Sequence, residues 1–394
     1  ADPGTAMTEE QGDGLTIAVF EGTTHQRYWI FTQERLAELR AEANETACAD
    51  VNEWTNKLRR AGSEEQQPDV VLGPSPGKKA RTECEESGVQ VDCITLQEEQ
   101  IIQDYYLEGV FSLSNKLKLP ANVETTAITF YKRFYLYCSA MDYHPKDIMF
   151  TVLWVACKVE HYPSRYINAQ KVVLNENSRE FSFDAPAFAD HGNIPIEHLL
   201  RLEQVLLQVL KYHLMVHHPF RPLRGFLEMW TKRSDSMKLA DDVKSKIEEK
   251  ATKLLRDWMK SDILLILHPS EIALCALRHT CAKAKMEAAF DMFLKDAIGS
   301  SAESVGRVYE AIEGNLAAHK QRLKGEQLKT EATRINAKLQ GCSNPEKERS
   351  HPQFALLEEI KRKEREAAKE AKNLRIAQEQ REQEMRLLGI DGGR

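Results

Sequence analysis

No C-x-x-C pair occurs among the eight cysteines, and several of them sit inside apolar helical runs. That spacing excludes a disulfide framework and is the pattern of reduced, intracellular thiols. No uncharged stretch reaches about 18 residues, so no membrane span is expected. No charged start leads into an apolar signal core, and residues 1–6, ahead of Met7, read as an expression scar. The signatures G-x-S-x-G and H-E-x-x-H and the Gly-rich dinucleotide fingerprint are all missing. Gly73-Pro74-Ser75-Pro76-Gly77-Lys78-Lys79 superficially suggests a phosphate loop. It is one residue short between glycines and has Lys79 where Ser or Thr should hold Mg²⁺. Cys157 and His161 stand at i and i+4 and could share a metal, but no second pair completes four ligands. A core cysteine beside a helix-end histidine is the better reading. Neither an enzyme nor a bound cofactor is expected. The formal charge of −6 also lacks the basic excess of a dedicated nucleic-acid binder.

What the chain does have is size, apolar content and a long repeat. Its 394 residues allow two or three domains, and 42% apolar residues support real cores. Two segments 124 residues apart match without a gap: His144 falls on His268, Pro145 on Pro269, Ile148 on Ile272, Leu153 on Leu277 and Cys157 on Cys281. Solenoid units run to about 20–50 residues, so this period reads as one helical domain used twice.

Helical spacing places a short helix from Thr32 within an N-terminal segment, residues 7–50. The apolar cluster Tyr28-Trp29-Ile30-Phe31 just before it should dock onto the main body. Residues 51–91 are expected to form a disordered loop, with almost no large apolar side chain between 62 and 88. The first repeat, 92–215, should hold helices over 97–111, 123–138, 145–159 and 195–210, with an irregular insertion at 163–194. Pro219 and Pro222 break the chain into a linker. The second repeat, 216–325, should hold five helices over 223–231, 241–259, 269–285, 287–294 and 302–319. Residues 326–394 read as a charged helical tail, either solvated or binding a partner. The expected core is all-α.

The repeated helix carries the functional clue. Pro145 suits a first-turn position, and residues 148–157 are apolar on every face, as in a helix buried all round. Lys158 and Glu160 follow, so charges leave a buried helix at its end. Lys158 could simply favour the negative helix terminus. In the second copy, however, these positions are Ala282 and Ala284. Charges absent from one of two parallel helices are expected to serve something that only the first repeat does.

Three stretches, Phe130 to Leu136, Met141-Asp142-Tyr143-His144-Pro145 and Ala156-Cys157-Lys158-Val159-Glu160, carry a family resemblance. Together with Arg27 to Thr32, Leu39 to Asn44 and Leu214 to Pro222, they closely resemble the cyclin H family. The resemblance covers roughly residues 25–50 and 92–320 and implies two tandem five-helix cyclin boxes flanked by terminal helices. It also implies a nuclear regulatory subunit of the CDK-activating kinase, a module of transcription factor IIH. Such a subunit supports phosphorylation of other cyclin-dependent kinases and of the RNA polymerase II C-terminal domain. The implied partners are the cyclin-dependent kinase, the RING-containing assembly factor of that trimer and the core of transcription factor IIH, with no nucleic acid or membrane bound directly. By the same resemblance Lys158 and Glu203 hydrogen-bond the kinase, with Val159, Glu160 and Tyr162 completing the face. Two departures stand out: cell-cycle cyclins have Asp where this chain has Lys132, and their substrate-docking motif is missing, as suits a transcriptional cyclin. Two alternatives are a tandem cyclin-fold general transcription factor that clamps promoter DNA and a helical scaffold without a kinase. The first would call for clustered Lys and Arg, which the second repeat lacks.

Overall fold

The computed structural model describes residues 20, 22–64, 90–162, 172–173, 180–181, 194–232, 240–297, 302–347 and 354–387. The chain divides into two compact units. Residues 1–44, 95–140 and 144–336 form the first, and residues 45–94, 141–143 and 337–394 the second.

The first unit contains most of both repeats. Before them come α1 (Thr24–Trp29) and the start of α2 (Gln33–Glu64). The first box has α3 (Leu96–Lys116), α4 (Ala121–Phe134), α5 (Pro145–Val159) and α6 (Ile196–Val209). The second has α7 (Phe220–Thr231), α8 (Asp241–Trp258), a 3-10 turn (Asp262–Leu265), α9 (Pro269–Lys283), α10 (Glu287–Ala297) and α11 (Ala302–Lys320). These bounds follow the expected helices to within a few residues. Within 163–194 the described residues include a two-residue antiparallel ladder, β1 (Val172–Val173) on β2 (Glu180–Phe181). The remaining insertion residues up to 193, the expected scar and residues 65–89 of the expected loop lie outside the described residues.

Local chemistry sets the helix ends. Thr95 caps α3 by accepting from the Glu98 N–H at 3.2 Å, and the Glu98 carboxylate accepts from the Thr95 N–H at 3.0 Å. This reciprocal box satisfies two donors that the first helical turn would otherwise leave bare. His144 caps α5, its Nδ1 accepting from the Lys146 N–H at 3.2 Å, with Pro145 in the first turn. The Glu271 carboxylate accepts from the His268 N–H at 2.9 Å at the start of α9.

One expectation is corrected. α2 runs to Glu64, through the first part of the segment read as a disordered loop. Val51 and Leu58 are buried at helical spacing, and that apolar stripe outweighs the polar composition around it.

In the second unit, Asn344 is fully buried. Its N–H donates to the Met141 carbonyl at 2.8 Å and its amide to Asp142 at 2.9 Å. Lys347 also reaches Asp142 at 2.8 Å. α12 (Gly325–Gly341) leads into this anchor and α13 (Phe354–Leu387) follows it. On α13, Leu357 is buried while Leu374 is 63% exposed. Described residues of α13 from Arg362 to Arg381 face solvent. No described helix is long and apolar enough to cross a membrane.

Candidate functional site at the end of the first repeated helix

α5 and α9 end by the same backbone device. His161 takes a left-handed conformation (φ 54°), its N–H donating to the Lys158 carbonyl at 3.1 Å and the Tyr162 N–H to the Cys157 carbonyl at 2.8 Å. Lys285 repeats it (φ 58°), with Lys285 N–H to Ala282 at 3.0 Å and Met286 N–H to Cys281 at 2.8 Å. Two such bonds, the second from one residue further on, form a Schellman stop. Since Ala282 and Ala284 are as compatible with that stop as Lys158 and Glu160, the charges of the first copy are not needed to end its helix.

Lys158 and Glu203 meet. The ammonium pairs with Glu203 Oε1, bridging α5 to α6. The Lys158 side chain is 50% exposed and the Glu203 side chain 13%. The second carboxylate oxygen of Glu203 accepts from the Trp154 indole N–H at 3.0 Å. The Lys158 ammonium also stands 5.3 Å from the centre of the Trp154 ring. α6 is tied to the other end of α5 by His198 Nε2, 3.2 Å from Asp147. Val159 and Tyr162 are part-exposed.

Glu160, expected on the same face, turns the other way. It accepts from Thr126 Oγ1 at 2.6 Å and Asn122 Nδ2 at 2.7 Å, with His218 Nε2 3.4 Å away. Burial pushes its carboxyl up, but the hydrogen bonds from His218, Thr126 and Asn122 outweigh that and bring it down to about 2. A largely buried carboxylate must find donors, and here they come from α4 and the inter-box linker. Cys157 is likewise structural: burial pushes its thiol up to about 12, and His161 sits exposed at the helix stop.

Sequence reasoning missed Trp154, reading it as one more member of an apolar run. A polar N–H on an otherwise hydrophobic side chain was the available signal. Also missed was the joint between the boxes. Lys132 is buried and donates to Asp262 at 3.2 Å and to the Lys260 carbonyl at 2.9 Å. Arg40 pairs with both oxygens of Asp262 at 2.9 and 3.0 Å, and Arg322 reaches the same carboxylate at 3.4 Å. Burial raises the Asp262 carboxyl, yet Lys132, Arg40 and Arg322 together hold it well below the usual range.

Comparison with known proteins agrees with the two-box fold. Residues 81–215 match the cyclin N-terminal domain family and residues 218–343 the cyclin C-terminal domain family. Cyclin mcs2 of Schizosaccharomyces pombe is 34% identical over 261 residues, 66% of this chain and 69% of that protein. Cyclin-H1-1 of Arabidopsis thaliana is 27% identical over 265 residues, 66% of this chain and 70% of that one. A chain in the structure of the CAK complex from Chaetomium thermophilum bound to ATP-gamma-S superposes with a TM-score of 0.63 at 21% identity, covering 88% of this chain and 95% of that chain. With both boxes matched in order and relatives aligned across them, the chain belongs to the cyclin family, among the cyclin H proteins.

Proposed function

We propose that this chain is the regulatory cyclin of a CDK-activating kinase, engaging a cyclin-dependent kinase through the Lys158–Glu203 face of its first box. It performs no chemistry of its own. The observation that carries the reading is the pair itself, joined across two helices in the box that has both residues, where the second box has alanine in place of the lysine. Half-exposed Lys158 keeps N–H donors for partner carbonyls, and Glu203 offers acceptor capacity to partner N–H groups. Val159 and Tyr162 supply apolar area around them. Glu160 contributes by fixing the end of α5 from inside.

A kinase transfers phosphoryl groups only when its C-helix Glu is paired with the β3 Lys and its activation loop is ordered. A rigid helical face that packs on the C-helix favours that state by binding it more tightly than the inactive one. The CAK complex named for the structural relative supports a kinase assembly of this class. Further members of the reading are a RING-containing assembly factor, the core of transcription factor IIH and residence in the nucleus. Other cyclin-dependent kinases and the RNA polymerase II C-terminal domain are its downstream substrates.

Capture from a nuclear extract on the immobilised full chain is the test. A cyclin-dependent kinase catalytic subunit and a RING-containing factor should be retained, and the eluate should phosphorylate a kinase activation-loop peptide. Retention of promoter DNA without any kinase would overturn the reading.

A further inference from the structure

We infer that Trp154 is the positioning residue of this face, its indole presetting the Lys158–Glu203 pair in the arrangement that meets the partner. The inference rests on the kinase-facing role proposed above. From Ile148 to Cys157 every residue of α5 is buried except Trp154, which stays part-exposed. A tryptophan left at the surface of so apolar a helix is occupied by two polar contacts. Its ring-plane N–H donates to Glu203 Oε2 at 3.0 Å, and its face lies 5.3 Å from the Lys158 ammonium. Trp154 and Lys158 are four residues apart, one above the other on the same side of the helix. One side chain therefore reaches both members of the pair from a single rotamer, because an indole presents its donor at the edge and its negative π-surface at the face.

A free lysine loses rotamer freedom when a partner immobilises it, which weakens binding. An ammonium already held by a carboxylate and an aromatic face has less to lose. Glu203 is likewise fixed, since each of its oxygens has a donor. Among the described residues, the second box contains no counterpart to this triad. Arg278 occupies the position matching Trp154 and lies over the Tyr309 ring at 5.6 Å, and Ala282 matches Lys158.

The test uses the full chain and the purified kinase catalytic subunit. In W154F, which keeps the ring packing but lacks the N–H, the melting temperature should stay as in the unaltered chain while kinase affinity falls about tenfold. On an E203A background the same change should cost less than twofold, because its effect passes through Glu203. The indole N–H resonance that W154F removes should shift in E203A, a readout independent of any kinase. A full W154F penalty persisting without Glu203, unchanged affinity in W154F, or an unmoved indole resonance would overturn the positioning role. Failure of the unaltered chain to bind the kinase, with the resonance still responding, would instead remove the reading on which the role rests.

Discussion

At the scale of single residues, His161 and Lys285 hold left-handed backbone without being glycine, at φ 54° and 58°. Each costs about 1–2 kcal/mol through crowding of its Cβ. H161G and K285G should therefore each raise the unfolding free energy by about 1 kcal/mol in denaturant titrations. K158A, at a half-exposed site, should stay within about 0.5 kcal/mol of the unaltered chain. Glu160→Ala should be costly by about 1–3 kcal/mol, since it strands the Asn122 and Thr126 donors. If K158A proved as destabilising as Glu160→Ala, the separation of their roles would be wrong. Comparing the two repeats made Lys158 and Glu160 legible as unlike the fold, but not that they face opposite ways. Glu160's partners lie 34 and 58 residues distant in sequence, beyond the reach of any local pattern.

At the scale of elements, α1 docks through a buried imidazole. His25 accepts from the His217 N–H at 3.1 Å through Nδ1, and its ring stacks on His217 at 5.8 Å. Phe20 packs against His25, His217 and His268. Burial, then the positive Arg133, then the neighbouring histidines bring His25 from the ordinary 6.5 to about 2. A histidine depressed in the folded state binds its proton more readily once unfolded. Docking is thus at full strength above about pH 6.5 and weakens as pH falls below it, by about 1.4 kcal/mol per pH unit. Between pH 7.5 and 5.5 the loss of stability should shrink by about 1.4 kcal/mol in H25Q, which keeps an acceptor for the His217 N–H but does not titrate. An unchanged pH slope would count against the docking. The Tyr28-to-Phe31 cluster announced this docking: Trp29 is buried, its N–H donating to His213 at 3.2 Å, and Phe31 packs with Leu36, Leu136 and Leu265. The far half of α2 was not legible, because between Val51 and Glu64 its few buried apolar residues are diluted by charge.

At the scale of the molecule, the two boxes of the first unit are joined by buried ions as well as apolar packing. Asp262 of the second box is held by Lys132 of the first and by Arg40 and Arg322 from the flanking segments. Glu124 is fully buried and accepts from Arg256 through both carboxylate oxygens, at 2.6 and 2.8 Å. Breaking such a cluster from one side leaves charges uncompensated, so Asp262→Ala should lower the unfolding free energy by about 3–5 kcal/mol. A loss below 1 kcal/mol in a denaturant titration would remove the network from the joint. The long repeat and the proline linker were enough to read two boxes in order. Their joint was not readable, for Lys132 stood out only as a departure from cell-cycle cyclins while its carboxylate lies 130 residues away.

Function at this scale comes down to which box meets the kinase, and calorimetric titration of the kinase catalytic subunit measures that directly. The unaltered chain and a second-box control, R278A, should bind alike. The K158A/E203A double variant should bind at least about tenfold more weakly while still unfolding in one cooperative transition. Equal affinity in the double variant would contradict the first-box pair as the kinase contact.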